Sequence, residues 1–130
     1  MSNLERHFSN IQKYGVPVVV GVNRFSADTE AERQLVVERC QAMGVAAVES
    51  DHWASGGAGA EGLAQAVVET IDSKPSNFKP LYGDDIPLWD KVRTVAQELY
   101  GADDIIADKK VRGQFKDLQD GGFGDFPVCI

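Results

Sequence analysis

The chain has 130 residues, of which 25% are charged and 43% apolar, and carries a net charge of −7. That length suits one domain, here expected to span residues 1–130, and the balance excludes a disordered chain. The acidic excess argues against a nucleic-acid partner, and no apolar run approaches the ~20 residues of a membrane span.

Residues 2–14 read as a first helix, with Leu4, Phe8, Ile11 and Tyr14 on one apolar stripe and Gly15 as the stop. The valine-rich run Val16–Val22 follows. It is apolar on both alternating faces, so it predicts a central strand buried on both sides, as in a parallel sheet covered by helices. Asn23, Arg24 and Phe25 break the run at the carboxyl end, where such sheets place their ligands.

A second helix is predicted over 29–43, opened by a Thr29/Glu32 capping box and ended by Gly44. Leu35, Val36, Cys40 and Met43 are expected to face inward. Glu30, Glu32, Arg33, Glu38 and Arg39 are expected to form the solvated face. Val45–Val48 reads as a second strand, running into a polar, glycine-rich loop that holds Trp53. A third helix over 60–73 points Leu63, Val67 and Ile71 inward.

Ser73-Lys74-Pro75-Ser76-Asn77 breaks the pattern. Pro87 sits near the start of a fourth helix that stops at Gly101. Asp104–Ala107 reads as a short strand, Asp108 caps a fifth helix, and Phe126–Ile130 reads as a last strand in the main sheet. The alternation gives an α/β fold with a mainly parallel sheet covered by helices in three layers. A leaderless start on a competent helix, and an end on a strand whose loop is missing, both point to an excised piece of a longer chain.

No GxxxxGK[ST] or GxGxxG pattern is present. Gly56-Gly57-Ala58-Gly59 precedes a helix but has no lysine, and reads as a hinge. Asn23-Arg24 has the place of a guanine-reading motif, but Ser26 stands where that motif needs aspartate. His7 and His52 have no partner at metal spacing, and Cys40 and Cys129 read as reduced, buried cysteines. Trp89, in the first turn of the fourth helix, reads as packing. Phe25 and Trp53 lie just past the ends of neighbouring strands, outside any amphipathic stripe. They admit two readings. Large rings more often cap a core, whereas two flat faces over one crevice form a slot for a flat heteroaromatic ligand.

The sequence resembles formate–tetrahydrofolate ligase along its whole length. The shared stretches run from Asn3-Leu4-Glu5-Arg6-His7 and Gly15-Val16-Pro17-Val18-Val19-Val20 through Asn23-Arg24-Phe25 and Asp28-Thr29-Glu30-Ala31-Glu32. They continue with Trp53-Ala54, Gly56-Gly57, Leu81-Tyr82 and Tyr100-Gly101-Ala102-Asp103, and end at Gly122-Phe123-Gly124 and Pro127-Val128-Cys129. The resemblance implies a cytoplasmic, typically homotetrameric enzyme of one-carbon metabolism. Such an enzyme uses ATP and magnesium to join formate to tetrahydrofolate through formyl phosphate. It also implies that Phe25 and Trp53 sandwich the folate pterin, and that Asn23 lies near the nucleotide cleft. The family's P-loop is absent from this sequence, so the resemblance implies the folate-binding portion of the ligase, inactive without the remainder of the chain. Ser55 and Ala58 depart from the lysine and acidic residue common in the family. The alternative class is a non-catalytic α/β binding or interaction module.

Overall fold

The computed structural model describes residues 2–130. They fall into two compact units, one ending at Phe78 and the other starting at Lys79. The first is an α/β unit. Helix α1 (Ser2–Lys13) leads to strand β1 (Val19–Asn23), helix α2 (Glu30–Ala42) and strand β2 (Ala46–Ser50). A single-turn helix α3 (His52–Ser55) and a 3₁₀ turn (Gly56–Ala60) then lead into helix α4 (Glu61–Ser73).

β1 and β2 pair in parallel, from Val19 opposite Ala46 to Asn23 opposite Ser50. The connection through α2 makes this a β–α–β unit. Side chains alternate between the faces of a strand, so neighbours Val48 and Glu49 mark opposite faces. A Cβ placed on Gly62 of α4 would lie 3.4 Å from Val48 Cγ1, whereas Arg33 of α2 donates to Glu49 Oε2 at 3.0 Å. Helices α2 and α4 therefore cover opposite faces, and the unit is an α/β fold with helices on both sides of a parallel sheet.

The sheet differs from the expected one in extent. Pairing begins at Val19, not Val16, because Pro17 has no N–H to give a ladder. Among the described residues the sheet has two strands, so β1 pairs on one side only and its valines are half-buried, not central. The apolar packing is correspondingly thin. Cys40 (1% exposed) and Val45 (4%) form its centre.

Helix α2 keeps its predicted start, with Thr29 and Glu32 completing a capping box. Its expected inward face holds in part, with Cys40 buried and Val36 and Met43 half-buried. Leu35 is half-exposed, while Arg33, expected in solvent, is 6% exposed. Val67 and Ile71 of α4 are likewise exposed. Gly15, at φ +72, ends α1, and its carbonyl accepts from Asn77 N at 2.9 Å. A side chain there would meet the Asn77 carbonyl oxygen, so the turn requires glycine.

The second unit is built on helices α5 (Leu88–Tyr100) and α6 (Lys109–Leu118), with a π-type turn over Gln119–Phe123. Asp108 caps α6 by accepting from Val111 N at 2.8 Å. Neither strand expected here forms. At 104–107, the Asp104 carboxylate takes the Ile105 N–H at 2.8 Å and the Arg93 guanidinium at 2.9 Å, which satisfies the segment locally. At 126–130, side chains replace a ladder. Lys91 Nζ donates to the carbonyls of Gly124 and Phe126, and Tyr82 Oη accepts from Val128 N at 3.0 Å. Cys129, expected to be buried on that strand, is exposed. No helix among the described residues is long and apolar enough to cross a membrane.

Candidate functional site

The carboxyl ends of β1 and β2 open onto a cavity of about 200 Å³ lined by Arg24, Phe25, Ser26, Asp51, Trp53 and Ala54. The two aromatics singled out in the sequence thus line one opening. Phe25 is 56% exposed and Trp53 81%, so neither ring caps the core. Asn23 ends β1 opposite Ser50 and is exposed, but it is not among the lining residues.

Each wall is built locally. On the β1 side the ladder extends one step beyond the strand, with Arg24 N donating to Ser50 O at 2.9 Å. The chain then closes a tight turn. Phe25 N donates to Asp28 Oδ2 at 2.9 Å, and Asp28 N returns to Phe25 O at 3.1 Å. Arg33 fixes this turn from below. Its Nη1 donates to the Asp28 carbonyl at 3.0 Å while its Nε reaches Glu49 on β2. Burial disfavours the Arg33 charge, but the Glu49 hydrogen bond and the charges of Glu30, Glu49 and Asp28 outweigh it and raise its pKa.

On the β2 side, Asp51 N donates to Gly59 O at 3.0 Å, and Ser55 N donates to Asp51 O at 2.9 Å. A Cβ on Gly59 would collide with the Asp51 carbonyl, so this closure requires the close approach that glycine allows. The glycine-rich stretch, expected to be a hinge, is wound into the 3₁₀ turn that carries α3 and Trp53. Ser55 Oγ also contacts Asp51 Oδ2, at 3.4 Å. His52 turns to Ser50, Oγ to Nδ1 at 3.1 Å, and does not line the cavity.

The opening therefore combines two aromatic rings with one cationic and one anionic side chain. At about 200 Å³ it is smaller than the ~300–1,000 Å³ of a site for a whole drug-sized ligand, and matches a single ring system. Among the described residues no group of three or more His, Cys, Asp or Glu could hold a metal ion. Arg33 escaped the sequence reading because its period placed it outside. The usable signal was the acidic set Asp28, Glu30 and Glu49, which a buried guanidinium needs.

A β–α–β unit with an aromatic-walled opening past its strand ends defines an α/β protein with an open crevice at the carboxyl edge of its sheet. Comparison with known proteins makes the class specific. The chain belongs to the formate–tetrahydrofolate ligase family, whose family model matches residues 1–130. It is 58% identical over 129 residues to the formate–tetrahydrofolate ligase of Granulibacter bethesdensis, covering 99% of this chain and 23% of that protein. The ligases of Maricaulis maris and Beijerinckia indica are 48% and 47% identical, over 99% and 100% of this chain and 23% and 24% of their own lengths. The chain thus spans about a quarter of the length of the curated relatives it matches.

Proposed function

We propose that this chain supplies the pterin-binding edge of an ATP-dependent ligase that joins formate to tetrahydrofolate, giving 10-formyltetrahydrofolate. The observation that carries this reading is the shared cavity of Phe25 and Trp53 past the ends of a parallel strand pair. A pterin is flat and polar at its edge. Two ring faces take its plane, and Asp51, with Asn23 or Arg24 nearby, meets its donors and acceptors. Both rings sit outside the regular strands, so the walls adjust around the ligand.

Phosphoryl transfer needs a cradle for the phosphates and a metal site. We place Asn23 near the nucleotide cleft, but assign neither the phosphate cradle nor the magnesium site to the residues described here. Those roles fall to the remainder of the ligase chain, in a homotetrameric, cytoplasmic assembly. The chain alone is accordingly proposed to bind tetrahydrofolate without catalysing ligation.

The test is a calorimetric titration of the 130-residue chain with tetrahydrofolate. Saturable binding that weakens in both Phe25→Ala and Trp53→Ala supports the reading. Binding indifferent to both substitutions, or no binding, sinks it. Formate-dependent ATP hydrolysis by the purified chain would remove the claim that it is inactive alone.

A further inference from the structure

The second unit holds a cavity of its own, of about 230 Å³, lined by Pro87, Trp89, Arg112, Phe115, Lys116 and Gln119. Four of these, Arg112, Phe115, Lys116 and Gln119, recur at i, i+3, i+4 and i+7 along α6 and its continuation, and so share one face. Trp89, from the first turn of α5, meets Phe115 edge-on, with centroids 5.4 Å apart and planes at 90°. The Arg112 guanidinium carbon lies over the Trp89 ring, 4.4 Å from its centroid.

The polar inventory of this wall is one-sided. Arg112 and Lys116 are donors only. The one side-chain oxygen of the lining, Gln119 Oε1, already accepts from Leu88 N at 2.9 Å. The indole Nε1 of Trp89 is buried and has no hydrogen-bond partner among the described residues. That N–H is enclosed and is not the contact point of a ligand, but it adds to a wall that is rich in donors and short of acceptors. The nearby carboxylates make their hydrogen bonds elsewhere: Asp104, whose charge attracts Arg112 from outside the cavity wall, bonds Arg93 and the Ile105 N–H, and Asp120 pairs with Lys116. A guanidinium already stacked on an indole keeps its N–H edge for a planar two-oxygen acceptor, the geometry of a carboxylate.

We propose that this cavity binds a small aromatic carboxylate, its carboxylate meeting Arg112 and its ring lying against Trp89 and Phe115. The volume admits one ring with a short acidic substituent. This site is independent of the Phe25–Trp53 opening, and its ligand need not be a folate.

The test is a titration of the 130-residue chain with benzoate, followed by the indole N–H signals in ¹H–¹⁵N NMR, with Trp53→Phe assigning the Trp89 signal. The expected result is a saturable shift of the Trp89 signal. Benzamide, which has the ring without the charge, should bind at least about tenfold more weakly, and Arg112→Gln should weaken benzoate by a similar factor. Equal binding of benzamide, a shift confined to the Trp53 signal, or no saturation by roughly 10 mM overturns the proposal. If Arg112→Gln does not fold, the comparison of benzoate with benzamide on the unaltered chain decides alone. The capped dipeptide acetyl-Asp-Phe-amide offers the same two groups from a protein source. Benzoate binding at least as tightly as the dipeptide assigns the site to a free small molecule, and tighter binding of the dipeptide overturns that assignment.

Discussion

Arg33 Nε donates to Glu49 Oε2 at 3.0 Å, tying α2 to β2, while the same guanidinium holds the Asp28 carbonyl of the turn that carries Phe25. A buried cation thus connects the second strand to a loop at the end of the first. Arg33→Gln keeps some hydrogen bonding but loses the fork and the charge. Amide hydrogen exchange at Phe25 and Asp28 should quicken, and tetrahydrofolate affinity should fall by roughly a factor of five to ten. Exchange unchanged at both amides would show that the turn closes without Arg33.

Trp53, at 81% exposed, has little to lose in the free chain. Trp53→Ala should therefore leave the unfolding midpoint within error, while removing stacking worth about 1 kcal/mol from pterin binding beyond the lost contact area. Calorimetry of folate binding beside denaturant unfolding separates the two effects. A large drop in stability with unaltered binding would contradict the assignment.

The capping box of α2 predicts a pH dependence. The Glu32 carboxylate accepts from Thr29 N at 3.0 Å, and also from the Thr29 hydroxyl. The backbone bond first, and the hydroxyl second, hold its pKa below the ordinary glutamate value against a small opposing effect of burial. A depressed carboxylate pKa contributes stability that is present above the unfolded-state value and lost as pH falls through the folded one. Helicity and unfolding midpoints measured from neutral pH downward should show this loss, and Glu32→Gln should lack that component. Parallel acid profiles for the two proteins would remove the effect.

The parts of the structure legible in the sequence were those set by local chemistry. Thr29 and Glu32 announced the start of α2, Asp108 that of α6, and Gly44 and Gly101 marked helix ends. Phe25 and Trp53 could be placed at one edge because parallel strands bring their carboxyl ends together. Apolar runs were less reliable guides. The Phe126–Ile130 stretch has strand composition, yet its backbone is engaged by Lys91 and Tyr82, contacts that cross more than 30 residues and have no periodic signature. Arg33 was misplaced for a related reason. A charge reads as solvated unless the partner that neutralises it, here Glu49 on another element, is also in view.

The cysteines should differ in reactivity. Burial pushes the Cys40 thiol above its usual pKa and encloses it, whereas Cys129 is exposed. Iodoacetamide at neutral pH should modify Cys129 first, and Cys40 only when denaturant is added, as peptide mass mapping can show. Comparable rates at both sites in the folded chain would mean that the packing around Cys40 opens readily.

Lys91 is wholly buried, and its ammonium donates to the carbonyls of Asp84 at 2.7 Å, Gly124 at 2.7 Å and Phe126 at 3.0 Å. Three donors meet three acceptors, so the charge is solvated by backbone dipoles in place of water. The same three bonds draw the 84 and 124–126 segments onto α5, where no sheet satisfies them. Lys91→Met fills the space but strands three carbonyls, and each lost charge-assisted bond is worth about 1.5–3 kcal/mol. Partial rehydration of the freed carbonyls offsets some of this, so the expected net cost is on the order of 3 kcal/mol. Tyr82→Phe, which removes only the hydroxyl facing Val128, should cost about 1 kcal/mol. Denaturant unfolding ranks the two variants, and hydrogen exchange at Val128 reports whether the last segment has been released. If Lys91→Met proves no more damaging than Tyr82→Phe, the buried ammonium is not what organises this unit.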